Sequence, residues 1–536
     1  MSHLLLTGFM GAGKTTVGRA AAELLGRPFI DLDETIERRE GASVTSLFER
    51  MGEQGFRDAE HAALEALAGE PDAVVATGGG VVLRDDNRVL LRGLGTVVYL
   101  AVTSAEALAR LGGADDRPLL AGRGIAAATE ILAARLALYE ATADHVLDTG
   151  RRPVAEVAAA VARLASEPPT QVIVVGRGSD TYDVVIGTGL IDELGARVRD
   201  VLGARTVAVV TDDVVGPLYR RRIVPSLVAA GIRTSEHTVP AGERSKSWER
   251  AGALLEHFAA SGLDRTSAVV ALGGGVVGDL AGFCAATYMR GIPVVQVPTT
   301  LLAQVDSAIG GKTAVDLDAG KNLAGAFWPP ALVVSDVAAL ETLPESEWVN
   351  GLVEVVKTAL LAGEQPLADL ENDLDRVLAR DHAAVTRCVA DAAAFKASIV
   401  SADERESGLR ECLNLGHTLG HALESVAGYG AIPHGVAVAE GLRFAALLAE
   451  QIAGADPDLT RRTTALLARA GAPPLKARLD ATALLAAMRA DKKSRNGVVR
   501  FVLLAAPGSW SVHEIADATL ESALGRWAAR ATGEVS

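Results

Sequence analysis

A strand-like run, Leu4-Leu5-Leu6-Thr7, leads into Gly8-Phe9-Met10-Gly11-Ala12-Gly13-Lys14-Thr15, and the helix-like stretch Val17 to Leu25 begins just after it. The order of apolar strand, GxxxxGK[ST] loop and helix admits few architectures, because the glycines must take backbone conformations closed to other residues while the strand sits in a sheet beneath the helix. Glycines at these positions turn amides toward a polyphosphate at the helix N-terminus, Lys14 reaches the terminal phosphates, and the Thr15 hydroxyl is placed to hold Mg²⁺. Gly11, Ala12, Gly13, Lys14, Thr15 and Thr16 are therefore the expected contacts for ATP. A glycine-rich turn without function is the alternative, and the flanking elements argue against it.

The same rhythm continues to about Ala165, with apolar runs at Ala73 to Thr77 and Thr96 to Val102 separated by Ala/Leu/Glu/Arg-rich helical stretches. It predicts an α/β unit with a parallel sheet over residues 1–165. At Ser166-Glu167-Pro168-Pro169-Thr170 the helical pattern stops, since paired prolines lack amide donors and disfavour helix in the preceding residue, which makes 166–170 a linker. Apolar runs at Val172 to Val175, Thr206 to Val210, Ala268 to Leu272 and Val294 to Val297 predict a doubly wound α/β domain over 171–330, and Ala/Leu-rich sequence predicts a mainly α-helical domain over 331–536. The net charge of −15 excludes a general binder of nucleic acid or anionic membrane. Cys284, Cys388 and Cys412 are an odd, scattered set that suits neither a disulfide framework nor a zinc knuckle, and no apolar run is long enough to span a bilayer. A soluble protein of the reducing cytoplasm is expected.

A triphosphate site does not name the phosphoryl acceptor. Asp31-Leu32-Asp33 follows the apolar Pro28-Phe29-Ile30, placing two carboxylates at the C-terminal end of a strand, where open α/β sheets bind ligands. Taken alone, such a pair is more often a helix cap or turn than a substrate ligand. Phe56-Arg57-Asp58 offers a guanidinium, Thr77-Gly78-Gly79-Gly80 offers approachable amides, and Arg117 and Arg135 follow, each by itself as readily a surface charge. The glycine- and arginine-rich segment Leu111 to Gly124 has the composition of a mobile lid.

The P-loop, D-x-D, F-R, G-G-G, R-P-L-L and a late arginine, in that order over residues 1–165, resemble shikimate kinase. The resemblance implies that Asp33 holds the shikimate hydroxyls and assists the attacking oxygen, that Asp31 binds Mg²⁺ through water, and that Arg57 and Arg135 grip the substrate carboxylate. It also implies amides of Gly79 and Gly80 on the substrate, and Arg117 closing with the lid over ATP. Phosphoryl transfer agrees, needing positioning and charge neutralisation more than covalent help. Another P-loop kinase of small molecules is the alternative.

In the second half, Ala268 to Leu272 leads into Gly273-Gly274-Gly275-Val276-Val277-Gly278-Asp279, a glycine turn that is not the GxGxxG fingerprint. Asp212 suits a ribose hydroxyl and an Asx turn equally. His417 and His421 stand at i and i+4 on a predicted helix, His434 follows in Ile432-Pro433-His434-Gly435, and Glu354 lies in the helical Gly351 to Lys357. Spacing alone leaves a chance histidine pair on an amphipathic helix as the commoner reading.

Gly273 to Phe283, Pro298 to Ser307, Gly310-Gly311-Lys312-Thr313, Lys321-Asn322, the Glu354 segment and Asn414 to His421 together resemble 3-dehydroquinate synthase, from about Gln171 onward. The resemblance implies zinc, or cobalt in its place, on Glu354, His417 and His434. It implies NAD on Asp212, Glu243, Lys246, Gly274, Gly275, Asp279, Thr299, Thr300, Lys312, Lys321 and Asn322. Lys312, Asn322, Lys357, Lys396, Arg410, Asn414 and His421 would surround the carboxylate and phosphate of 3-deoxy-D-arabino-heptulosonate 7-phosphate, with Asp306, Lys312 and His421 in the proton relay. Val436, where many relatives carry an acid, and Ala308, where a second serine is frequent, depart from the pattern without removing a ligand. The implied reaction withdraws a hydride to NAD, expels phosphate, returns the hydride and closes a carbocycle. A metal-dependent polyol dehydrogenase is the enzymatic rival, and the many cations tell against a neutral alcohol. A nucleotide sensor controlling a partner-binding half is the non-enzymatic one. Small-molecule substrates are the expected partners, with a homodimer through the second half.

Overall fold

The computed structural model describes residues 3–111, 124–150, 152–166, 170–178, 180–406, 408–428, 431–475, 480–490 and 498–531. Contacts divide the chain into two compact units, Met1–Pro169 and Thr170–Ser536. Arg117, most of the expected lid and residues 167–169 of the expected linker lie outside the described residues. Among those described, no helix is long and apolar enough to cross a membrane.

The first unit is built on β1 (His3–Thr7), β2 (Phe29–Asp31), β3 (Val74–Ala76), β4 (Gly95–Ala101) and β5 (His145–Asp148), all parallel in the order β2-β3-β1-β4-β5. Alternation along the strands builds two cores from one sheet: Leu4, Leu6, Val98 and Leu100 pack on one face, Leu5, Val97 and Tyr99 on the other. β1 is central, so the loop after it opens between the carboxyl ends of β3 and β4, where the helix Lys14–Leu25 begins.

The second unit contains β6 (Gln171–Arg177), β7 (Asp180–Gly187), β8 (Thr206–Asp212), β9 (Arg233–Val239), β10 (Ala268–Gly273), β11 (Val294–Pro298), β12 (Lys312–Leu317), β13 (Gly320–Phe327) and β14 (Leu332–Asp336). Seven of them form a sheet in the order β6-β7-β14-β11-β10-β8-β9, and β12-β13 form a separate hairpin. The sheet is parallel except for β6 at its edge, which the short connection to β7 forces to pair antiparallel. It also continues past Pro330, the limit expected from the sequence, because β14 pairs with β7 and β11 inside it. The strand order reverses between β8 and β10, which creates a crevice at their carboxyl ends.

Beyond β14 the described residues are mainly helical, as the composition suggests, except for the hairpin of β15 (Val499–Ala506) and β16 (Ser509–Ile515), turned at Pro507-Gly508. Its alternating valines, leucines and aromatics around a Pro-Gly turn are a strand signal inside helix-like composition. One core joins sheet and helices, with Ile186 and Val333 packed with Leu352, Leu419, Leu442 and Phe444.

Candidate active sites

In the first unit, Gly8, Gly11 and Gly13 take φ of +143°, +78° and +93°. A Cβ on Gly11 would lie 2.5 Å from Ala107 O, so both conformation and space demand glycine there. Lys14 Nζ folds over the loop and donates to Gly8 O at 2.8 Å and Phe9 O at 3.1 Å. A cleft of about 440 Å³ is lined by Gly11, Ala12, Gly13, Lys14, Thr15 and Thr16, together with Asp31, Asp33 and Gly79. Thr15 Oγ1 donates to Asp31 Oδ2 at 2.8 Å, bringing the two expected Mg²⁺ ligands together. Asp31 is also a helix cap, its Oδ1 accepting from the Asp33 amide at 3.1 Å, so the two readings of that residue are not exclusive.

Beside the cleft, Arg57 NH1 bonds Glu60 Oε2 at 2.8 Å, both side chains buried. A Cβ on Gly80 would lie 2.2 Å from Arg57 NH2, so a side chain there would displace the guanidinium. Arg135 NH1 and the Tyr139 hydroxyl hold Gly79 O at 2.9 and 2.5 Å. Burial pushes the Glu60 carboxyl above its ordinary value against the pull of Arg57, with Asp33 adding to the rise and Arg135 opposing it. Asp33, Arg57, Gly79, Gly80 and Arg135 thus gather around Glu60, which sequence reasoning missed. It also missed Arg110 and Arg152 on the cleft wall; Arg110 NH1 donates to Thr149 Oγ1 at 3.1 Å.

In the second unit, Asp212 ends β8, Gly274 and Gly275 follow β10 at the start of the next helix, and Thr299 and Thr300 follow β11, so all five meet at the crevice. Asp212 Oδ1 accepts from the amides of Val214 and Val215 at 2.9 and 2.7 Å. A Cβ on Gly275 would come within 3.0 Å of Ser307 Oγ, and Thr299 Oγ1 and Ser307 Oγ are buried without a hydrogen-bond partner. Open backbone and buried hydroxyls awaiting partners fit a dinucleotide here. Lys246 pairs with Asp279 at 2.6 Å, Lys321 with Glu243 at 3.6 Å, and the Asn322 amide donates to Asp316 Oδ1 at 2.8 Å.

Among the described residues, Glu354, His417 and His434 bring one donor atom each within 4.8 Å of one another. Glu354 Oε1, buried and without a hydrogen bond, lies 3.5 Å from His417 Nε2 and 3.9 Å from His434 Nε2. The opposite ring nitrogens are engaged, His417 Nδ1 with Leu415 O at 3.1 Å and His434 Nδ1 with Glu424 Oε1 at 3.3 Å, which turns both Nε2 atoms to the shared centre. One carboxylate and two imidazoles fit a catalytic divalent ion with open positions. His421, the i+4 neighbour of His417, stands outside this trio, its ring edge-on at 5.5 Å. The helices His417–Ala427 and His434–Ile452 touch backbone to backbone: a Cβ on Gly441 would fall 1.7 Å from Gly416 O, and one on Gly420 3.2 Å from Ala437 O.

Cations surround this centre. Lys357 pairs with Glu354 one helical turn away, and Lys396 pairs with Asp306. Burial opposes ionisation of Asp306, yet Lys396, with Lys357 and Arg410 behind it, holds the carboxyl well below its usual range. Arg410 donates to Glu404 O at 2.7 Å and to Gly310 O at 3.4 Å; Lys312 pairs with Glu406 at 2.5 Å. Asp306 lies in the π-helical turn Ala303–Ser307, an irregularity frequent at functional sites. Asn414 ends the short turn Leu409–Asn414, half-buried, three residues before His417.

A P-loop phosphotransferase unit, followed by an α/β unit with a dinucleotide crevice and a carboxylate–histidine metal centre, is the class of enzyme that this fold and these sites define. Residues 10–165 match the family model of shikimate kinase, residues 236–350 that of the 3-dehydroquinate synthase N-terminal region, and residues 351–494 that of its C-terminal region. The 3-dehydroquinate synthase of Geobacter metallireducens is 46% identical over 347 residues, covering 65% of this chain and 96% of the relative. That of Symbiobacterium thermophilum is 50% identical over 334 residues, covering 62% and 93%. The structure of a 2-epi-5-epi-valiolone synthase from Streptomyces hygroscopicus with NAD⁺ and Zn²⁺ bound is similar at a TM-score of 0.61 and 26% identity, covering 66% of this chain and 99% of that one. The chain belongs to the 3-dehydroquinate synthase family and carries a shikimate kinase domain ahead of the synthase. It is a bifunctional kinase and lyase of the shikimate pathway.

Proposed function

We propose that the first unit transfers the γ-phosphoryl group of ATP to the 3-hydroxyl of shikimate, with Mg²⁺, and that the second converts 3-deoxy-D-arabino-heptulosonate 7-phosphate to 3-dehydroquinate. Lys14 faces the transferring phosphate, Asp33 takes up the hydroxyl proton, and Arg57 and Arg135 grip the carboxylate, with Glu60 holding Arg57 in place. Thr15 and Asp31 hold the cation, whose charge offsets that developing on the phosphates.

In the second unit, Asp212, Gly274, Gly275, Thr299 and Thr300 receive the dinucleotide, while Lys357, Lys396, Arg410 and Asn414 take the anionic groups of the substrate. Asp306 and His421 carry the protons that leave and return. Glu354, His417 and His434 would hold a divalent ion, zinc or cobalt, which would supply a Lewis acid for a substrate hydroxyl, and NAD in the crevice would supply reversible hydride removal. The observation that carries this reading over a polyol dehydrogenase is the metal trio set among the buried Lys357, Lys396 and Arg410, cations for which a neutral alcohol has no use. Phosphate release from the seven-carbon substrate, with and without chelator, tests it, with shikimate phosphorylation by the same preparation as control; release unaffected by exhaustive metal removal overturns the metal assignment.

The reading extends to a cytoplasmic enzyme of small-molecule substrates that dimerises through the second unit. Leu317, Leu323 and Phe327, exposed on the β12-β13 hairpin, support an apolar contact there. A monomer by sedimentation at micromolar concentration would exclude it.

A further inference from the structure

The metal trio is assembled from three different helices, and the question is what fixes their spacing. The helix His434–Ile452 starts after Pro433 with no side-chain cap of its own, although its first amides have no partner within the helix. The Gly435 amide, next to the ligand His434, donates instead to Asn350 Oδ1 at 2.9 Å. Asn350 belongs to the helix Glu345–Ala362 that bears Glu354, one turn before that ligand, and is only 7% exposed. Its Nδ2 donates to Glu347 Oε2 at 3.3 Å, which leaves Oδ1 turned to the glycine. The approach is close: a Cβ on Gly435 would lie 2.6 Å from Asn350 Cα.

We infer that Asn350 is a positioning residue for the metal centre, a helix cap supplied by one ligand-bearing helix to another that fixes the Glu354-to-His434 spacing. A backbone amide only donates, so the lock needs an acceptor at this point, and an acceptor on any other element would not tie the two ligands together. Without it the Gly435 amide is buried and unpaired, and the first turn of the helix is free to carry His434 away from Glu354. Side chains that orient metal ligands typically govern affinity by about 10- to 100-fold when removed. The inference rests on the metal reading proposed above.

The test is zinc affinity of the full chain, measured by competition with a chromophoric chelator. Asn350→Ala and the bulkier Asn350→Leu, both lacking the acceptor, should raise the zinc Kd on the order of 10- to 100-fold. Asn350→Asp, which retains an acceptor oxygen, should stay near wild type. Shikimate phosphorylation, made by the other unit, should not change in any of them. Should the alanine variant fail to fold, the leucine and aspartate variants carry the comparison. Wild-type zinc affinity in the variants without an acceptor, or an aspartate variant as weak as they are, overturns the role of Asn350 while leaving the metal centre standing. Failure of the wild-type chain to bind zinc or cobalt removes both.

Discussion

Lys246 Nζ lies 2.6 Å from Asp279 Oδ2, tying the loop after β9 to the helix Gly275–Thr287 at the mouth of the dinucleotide crevice. Burial raises the Asp279 carboxyl above its ordinary value, and the neighbouring ammonium opposes that rise. Asp279→Asn should leave Lys246, 5% exposed, without a countercharge, costing about 3 kcal/mol of stability in the second unit and weakening NAD binding. Calorimetry and NAD titration check it; an unchanged unfolding temperature would show that the pair contributes nothing.

Lys14→Ala should lower kinase kcat by about 100- to 1,000-fold, since its ammonium acts where charge develops on the transferring group. Arg57→Ala should act mainly on the KM for shikimate, by about 10- to 100-fold, the range for a lost charged hydrogen bond. Synthase turnover should be unchanged in both. Steady-state kinetics separate the two outcomes, and a normal kcat in the Lys14 variant would exclude the phosphate role.

The raised carboxyl of Glu60 gives the first unit a pH signature. Between the ordinary glutamate value and its own higher one, the folded unit binds a proton that the unfolded chain does not. Stability from this group is therefore fully present below that window and lost as pH rises through it. Glu60→Gln should flatten this component of the stability profile of residues 1–169, measured by denaturant melts across the acidic range; a profile unchanged in shape would assign the dependence elsewhere.

His417→Ala or Glu354→Gln should remove bound zinc and synthase turnover together, with the kinase unharmed. Glu424→Gln, which alters the partner of the far nitrogen of His434, should weaken zinc by about 10-fold without abolishing it. Metal analysis after gel filtration decides, and full occupancy in the first two variants would mean that the ligands are others.

Cleavage between Glu167 and Thr170 should yield two folded proteins, each active. Among the described residues, those that line the kinase cleft lie within Met1–Pro169 and the three metal donors within Thr170–Ser536. A nucleotide-competent kinase fragment that fails on shikimate, where the full chain succeeds, would show that the synthase completes its site.

What could be read from the sequence was local. The loop from Gly8 to Thr15 announces itself because glycine spacing, strand and helix lie within twenty-odd residues, and Asp31 could be read as cap and ligand because both depend on its nearest neighbours. His417 and His421 show the limit: helical spacing joins them, yet the trio takes His434, on the next helix, and only family resemblance pointed there. Glu60, Glu424 and Asn350 carried no signal, since their importance comes from contacts fixed by folding, across 85 positions for Asn350 and Gly435. The sheet boundary was misplaced for a related reason: β14 is a five-residue strand with a short approach, and its place between β7 and β11 is decided by pairing rather than by composition.

The crossing at Gly416 and Gly441 leaves no room for even a methyl group. Neither residue is one of the donors, yet Gly416 immediately precedes His417 and Gly441 lies on the helix that His434 begins. Inheritance of this centre therefore depends on an empty space as much as on its donors. A lineage could exchange many contacts around the substrate and keep the three donors together, but a single codon change from glycine to alanine at this crossing would force the two histidine helices to shift without altering one donor atom.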